Sequence, residues 1–385
     1  MKCWFDQGAE QTRLQMTGMV ARIGVRRPEY LAQALAQIED AQKQGHWVAL
    51  VAHYELGAWL DPALKEIVWP DMATESPELL TAWIFKHAEQ RTLEAAGEAW
   101  SSKAQITSVK ASLTWPRYQQ MIEAVRTLIA AGEVYQINAT FPLMVQVQGQ
   151  ARALYEQILQ QSAAAHAAYI HDEEGGRHIL SWSPELFVAR TGSNLVTRPM
   201  KGTAPRVPED VVADAAMGQA LLDSPKDRAE NLMIVDLLRN DLGRLAQTGT
   251  VRVDPLFALE KYPTVWTMTS TIEAQLKPRV SLLEILQALF PCGSITGAPK
   301  IAAMKQIRRL EMGPRGVYCG SIGWLAPDGD FSLNVAIRTL VLNEAGQGTY
   351  HVGGGIVYDS DPAKEWQECF WKARVLGVPV QLADE

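Results

Sequence analysis

The chain has 385 residues, 47% of them hydrophobic and 21% charged, which is enough for a sizeable core. A net charge of -7 with both signs interspersed, and no basic cluster longer than Arg26-Arg27 or Arg308-Arg309, argues against a nucleic-acid partner. No window of 18 apolar residues predicts a membrane span, Asp6, Glu10 and Arg13 stand where a signal core would be, and Cys3, Cys292, Cys319 and Cys369 have neither zinc spacing nor disulfide density; reduced thiols in the cytoplasm are expected.

Residues 28–44 predict an amphipathic helix, with Leu31, Ala34, Leu35 and Ile38 at helical spacing and Gly45 as its stop, and the apolar run 47–52 predicts a strand. A Pro- and Asp-rich stretch then leads into an acidic, Ala-rich segment over 75–105, expected to be a poorly packed connection. A second helix is predicted at 116–131, followed by a strand at 141–145 and a helix at 150–162. Paired strands at 167–170 and 178–182, with Asp172-Glu173-Glu174-Gly175-Gly176 as their hairpin, deliver the chain to Ser183-Pro184-Glu185 and a strand at 186–188. Further helices are expected at 207–222, from Ser224-Pro225 onward, and at 281–290, 298–311 and 362–375. Strands are expected at 249–253, 264–273, 317–324, 333–343 and 349–357, with no internal repeat.

In Thr197-Arg198-Pro199-Met200-Lys201-Gly202-Thr203-Ala204-Pro205-Arg206 one lysine lies between two prolines and ahead of a Gly-Thr step. Such a frame restricts the side chain and positions it to act, although a surface loop with one solvated cation has the same signature. The helix over 227–238 is apolar round most of its circumference and is expected to be largely buried. Asp227 and Glu230 share one of its faces, and Glu365 and Glu368 repeat the spacing near the C-terminus. Four carboxylates from two helices, one of them buried, are costly unless a cation sits between them, and oxygen-only ligands fit Mg²⁺; two surface salt-bridge faces would give the same pattern. Gly293-Ser294-Ile295-Thr296-Gly297-Ala298-Pro299-Lys300 fails the phosphate-loop spacing and reads as a Gly-rich turn into a helix N-terminus, able to bind a carboxylate or simply to start a helix. Gly353-Gly354-Gly355 permits close backbone approach to a ligand or a neighbouring element, and Arg338, on the strand over 333–343, offers a bidentate carboxylate grip or a structural ion pair.

Together these residues resemble the chorismate-utilising enzyme family over roughly 115–378, the catalytic core, while 1–110 match less well and complete the sheet. The resemblance is carried by Gly132-Glu133-Val134-Tyr135-Gln136-Ile137-Asn138, Ser183-Pro184-Glu185, Met200-Lys201-Gly202-Thr203, the Asp227 to Arg244 helix, Gly293 to Lys300, and Asp359 to Lys372. It implies a single large α/β domain (α+β type) over 1–385, anthranilate-synthase-like, with two packed, mainly antiparallel sheets and outer helices. Gln136 stands where the isochorismate- and salicylate-forming members use a lysine to activate water, and Lys201 stands where the anthranilate-forming members usually have alanine. The Pro-x-Lys-Gly-Thr context is similar to the members that convert chorismate and ammonia to 4-amino-4-deoxychorismate, the first committed step toward 4-aminobenzoate and folate. An anthranilate-forming enzyme and a non-catalytic chorismate-binding partner are the alternatives.

For the site, the resemblance implies that Lys201 attacks the ring as a neutral amine and that Glu185 protonates the leaving hydroxyl, which requires a lowered lysine pKa and a raised glutamate pKa. It implies Mg²⁺ held by Glu230 and Glu368, with Asp227 and Glu365 nearby or bridged by water. Substrate contacts are implied at Gln136, Thr203, Thr296, Gly297, Tyr318, Arg338, Gly353, Gly355 and Lys372. Thr267 stands where many relatives have histidine. No glutaminase Cys/His/Glu triad is recognisable, so ammonia is expected from a separate glutamine amidotransferase subunit or from free ammonium.

Overall fold

A computed structural model describes residues 1–8, 10–65, 67, 77–93, 103–162, 164–262 and 265–383. Trp47–Ala52 shows what organises it: a nearly continuous apolar run, buried along almost its whole length, because both faces of the sheet are covered. Val48, Leu50 and Ala52 face the larger core, to which the helices contribute, whereas Ala49 and Val51 face a smaller core with Trp83, Phe85, Ala168, Ile170 and Ile179.

That smaller core joins two arms of one antiparallel ladder. The first arm runs from Ile272–Gln275 through Asn194–Arg198, Leu186–Thr191, Phe331–Val335, Ser321–Leu325, Trp47–Ala52 and Leu80–Thr92 to Thr12–Val25. Lys2–Gln7 pairs with Thr12–Val25 on one side and with His166–Asp172 on the other, and so opens the second arm. This arm continues through Arg177–Ser183, Thr339–Asn343, Gln347–Ile356 and Gln136–Gln148. The two expected sheets are therefore arms of a single 17-stranded sheet. A separate three-stranded sheet is made by Met200–Pro205, Val265–Thr269 and Ala258–Lys261.

Several expectations are corrected. The segment over 75–105 contains the strand Leu80–Thr92, hydrogen-bonded on both sides; its apolar head Leu80–Phe85 is buried, and its polar tail conceals it in a composition average. Residues 94–102 of that segment lie outside the described residues. The strand over 264–273 is two strands in different sheets, Val265–Thr269 and Ile272–Gln275. The strand over 333–343 breaks at 336–338, which puts Arg338 in the turn before Thr339–Asn343. The helix Pro225–Gly243 buries only the stripe Asn231, Ile234, Val235, Leu238, Asp241 and Leu242, since it lies on the sheet with one face in solvent. The helix expected from 298 starts at Lys300, because Gly297–Ala298 is drawn into the sheet against Gln136 and Ile137. No helix of the described residues is long and apolar enough to cross a membrane.

Candidate active site

A cavity of about 260 Å³ opens where the small sheet, the helices Pro225–Gly243 and Pro362–Ala373, and the Gly-rich strand Gln347–Ile356 converge. Lys201 enters it from a β-bulge: Met200 pairs with Thr269 and Thr203 with Thr267, so Lys201 and Gly202 oppose a single residue. A bulge bends the strand and re-aims its side chains, and Gly202 supplies the left-handed backbone this one needs, at φ +83°. Thr267, at the position of the family histidine, donates its hydroxyl to the Gly202 carbonyl at 3.1 Å and fastens the bulge.

Glu185 lies in the same cavity wall at the end of the Ser183-Pro184-Glu185 turn. Ser183 donates to the Val335 carbonyl at 2.6 Å, and the Glu185 carbonyl accepts from Val335 N–H at 3.0 Å, so the turn is fixed to the neighbouring strand. Burial pushes the Glu185 carboxyl up to about 7, against the Ser294 hydroxyl, the Lys201 charge and the Met200 N–H, which all favour the ionised form. Ser294 donates to Glu185 Oε1 at 2.6 Å. A carboxyl of this kind can give up a proton at physiological pH.

The four carboxylates arrive on two helices. Ser224 caps the first by accepting from Asp227 N–H at 3.2 Å, with Pro225 at the first helical position, as the Ser-Pro signal predicts. Trp366 and Phe370 seat the second helix against Tyr118 and Phe141, with the Trp366 ring 4.8 Å from Tyr118 and 5.2 Å from Phe141. Glu230 lies 3.9 Å from both Lys201 Nζ and Lys226 Nζ. Glu368 pairs with Lys372 at 2.8 Å, and Glu365 accepts from Ser360 at 2.8 Å. Burial, and then the Glu368 charge, raise the Glu365 pKa, whereas Lys372 lowers that of Glu368. All-oxygen donors with a like-charge pair among them fit a hard divalent cation. Among the described residues, however, the one group of three metal-donor residues whose ligand atoms lie within 4.8 Å of one another is elsewhere: His171, His178 and Glu344.

Of the other residues singled out in the sequence, Thr203, Tyr318, Arg338, Gly353, Gly355 and Lys372 line the cavity. Arg338 takes a left-handed backbone, φ +50°, uncommon for an arginine and concentrated at functional turns. A Cβ on Gly355 would meet Lys201 Nζ at 2.6 Å and Gln136 Nε2 at 2.7 Å, whereas one on Gly353 would meet the Ala139 carbonyl at 2.3 Å. Gly355 thus makes room for the site, and Gly353 for the adjacent strand. Gln136 is fully buried beside that opening, and both of its amide atoms lack partners.

Thr296 and Gly297 do not line the cavity: the Thr296 hydroxyl is turned to the Cys292 carbonyl at 3.1 Å, and Gly297 packs on the Gln136 carbonyl. Their neighbours Ser294 and Ile295 reach it instead. Asn138, Lys226 and His351 also line it. Ser294, Lys226 and His351 each lie within or beside a motif visible in the sequence, and Asn138 ends one. Nothing in the sequence points to Arg315, which is fully buried and donates to the Ile295 carbonyl at 2.8 Å and the Asn138 carbonyl at 2.6 Å while pairing with Glu311 at 2.7 Å.

A family model described as chorismate binding enzyme matches residues 3–377. The chain belongs to that family. Within the chorismate binding enzymes it is 38% identical to aminodeoxychorismate synthase component 1 of Escherichia coli over 87% of this chain and 76% of that one. It is 39% identical to the protein of the same name from Klebsiella aerogenes over 77% of this chain, but spans only 63% of that relative's length. Anthranilate synthase component I from Streptococcus pneumoniae shares the fold, with a TM-score of 0.81 at 24% identity over 96% of this chain and 92% of that one.

Proposed function

We propose that this chorismate binding enzyme converts chorismate and ammonia to 4-amino-4-deoxychorismate, feeding 4-aminobenzoate and folate synthesis. The observation that carries this is Lys201 on its bulge, in one cavity with a Glu185 carboxyl that keeps its proton up to about pH 7. Relatives 38% and 39% identical bear the name aminodeoxychorismate synthase component 1, which supports the same activity. Lys201, as a neutral amine, attacks ring C2, both conjugated ring double bonds shift, and the C4–O bond breaks while Glu185 gives its proton to the hydroxyl, which leaves as water. Ammonia then adds at C4, both double bonds shift back, Lys201 departs as a free amine, and the ammonium of the product returns a proton to Glu185. Two allylic displacements replace one hard substitution.

Arg338, Tyr318 and Lys372 would grip the substrate, with Gln136, Thr203, Gly353 and Gly355 shaping its seat; Thr296 and Gly297 would act only through the backbone they order. Glu230 and Glu368, with Asp227 and Glu365 nearby or bridged by water, would hold Mg²⁺, which when bound neutralises the substrate carboxylate. A glutamine amidotransferase subunit would supply the ammonia, and four free, buried cysteines suit a reducing cytoplasm. Incubation with chorismate, Mg²⁺ and ammonium at alkaline pH is expected to yield 4-amino-4-deoxychorismate, to fail under chelation, and to need more Mg²⁺ in Glu230→Gln. Anthranilate with pyruvate as the main products would instead make this an anthranilate-forming enzyme, and binding without turnover a non-catalytic one.

A further inference from the structure

Away from the cavity, three adjacent strands of the second arm bring two imidazoles and a carboxylate together. His171 on His166–Asp172 is the register partner of His178 on Arg177–Ser183, and His178 is the partner of Leu342 on Thr339–Asn343. Glu344, in the turn just past Thr339–Asn343, carries its carboxylate to both rings. The imidazoles stack with centroids 4.0 Å apart and planes within 16°, and the Nε2 atom of each faces Glu344. There the Glu344 carboxylate meets them, Oε1 at 3.1 Å from His171 Nε2 and Oε2 at 3.4 Å from His178 Nε2. One ligand atom from each of the three residues lies within 4.8 Å of the other two, and on a tetrahedral zinc with bonds of about 2.0–2.1 Å they would close to about 3.3–3.4 Å, with one oxygen of the exposed Glu344 carboxylate turning to face both rings.

We infer that His171, His178 and Glu344 form a Zn²⁺ site, independent of the chorismate cavity and of the activity proposed for it. Tyr169 hydroxyl lies 3.1 Å from His178 Nδ1 and, by accepting that N–H, leaves the Nε2 lone pair for the metal, the outer-shell arrangement usual for ligating histidines. The His171 and His178 side chains are 20% and 14% exposed and that of Glu344 56%, so the cluster is ordered on one side and open to ions on the other. Lys2, the register partner of His171, and the N-terminal ammonium of Met1 oppose a cation, and Glu173, 3.8 Å from His171 Nδ1, is paired with that ammonium and cancels it, which leaves Lys2 for the Glu344 carboxylate to outweigh. A bound ion would clip three strands together and keep its fourth position for water.

Zn²⁺ titration by calorimetry, and Co²⁺ titration followed by its visible absorption, test the site in the full chain. One equivalent should bind, and should persist in Glu230→Gln/Glu368→Gln, which removes competing carboxylates. Glu344→Gln, at an exposed position that cannot unfold the chain, should weaken binding at least tenfold, and His171→Ala should abolish the tetrahedral Co²⁺ spectrum. Absence of uptake by the unaltered chain, or uptake undiminished by Glu344→Gln and His171→Ala, would overturn the site.

Discussion

Lys201 and Glu185 divide the proposed chemistry between a nucleophile and an acid, and the two can be separated by substitution. Deleting the group that forms the first covalent bond removes at least a few kcal/mol of transition-state stabilisation, so Lys201→Ala should lose on the order of a hundredfold to a millionfold in amination. It should still bind chorismate, because Arg338 and Lys372 are untouched; a stopped-flow or fluorescence binding assay beside product analysis checks both halves. Lys201→Arg should not rescue, since a guanidinium stays protonated and has no lone pair to attack with. Ser294→Ala tests the acid. It deletes a hydrogen bond that favours the ionised Glu185, so the carboxyl should hold its proton to higher pH. The loss of kcat on the alkaline side should then move upward by about half a pH unit to one, the equivalent of roughly 1 kcal/mol. An unmoved limb would mean that Glu185 is not the group titrating.

At the scale of elements, what was legible in the chain was whatever depends on near neighbours. The Ser224-Pro225 start is a local signal and its helix begins at Pro225 as it requires, and the helix expected over 281–290 is Leu282–Leu289, held at its start by a Ser281–Glu284 capping box. Thr12–Val25 was invisible because its stripe of apolar residues is irregular and its partner, Leu80–Thr92, is remote in sequence. The bulge at Lys201 is likewise a property of two strands in register, so the sequence yields the residue but not the reason it points inward. The Arg338 turn follows the same rule. Arg315 is the extreme case, an arginine with no motif around it whose role appears only when two distant carbonyls arrive at its guanidinium. Arg315→Ala should cost about 3–5 kcal/mol, measured as a drop in the urea midpoint, because it strands the buried Glu311 carboxylate. Arg315→Met/Glu311→Leu should recover only part, since Thr140 N–H, which donates to Glu311 at 3.0 Å, would lose its acceptor.

For the whole molecule, five desolvated groups shape the pH dependence of stability: His53, Glu55 and Glu185 are buried, while His166 and the cavity-lining His351 are partly covered. Burial lowers His53 and His351 to about 3 and His166 to about 4, so all three stay neutral in the fold while the unfolded chain protonates them as pH falls through about 6.5. Stability is therefore lost on the acid side. Burial raises Glu55 and Glu185 to about 7, so the fold keeps two protons that the unfolded chain releases from about pH 4.5 upward, and that stability is lost as pH rises through 7. Three imidazoles outnumber two carboxyls below pH 6.5, and the carboxyls act alone above it. A maximum near pH 6–6.5 is expected in denaturation midpoints measured across pH 4.5–8, and a midpoint rising steadily to pH 8 would contradict these assignments. The ladder itself carries a consequence for how the protein is made. Trp47–Ala52 takes Ser321–Leu325 as a partner, and Ala52 waits for Ser321, about 270 residues later. At ~5–20 residues per second, a ribosome needs roughly 15–55 seconds to supply that neighbour. During that interval an apolar strand has an unpaired edge, so the nascent chain is a natural client for holding chaperones until synthesis is nearly finished.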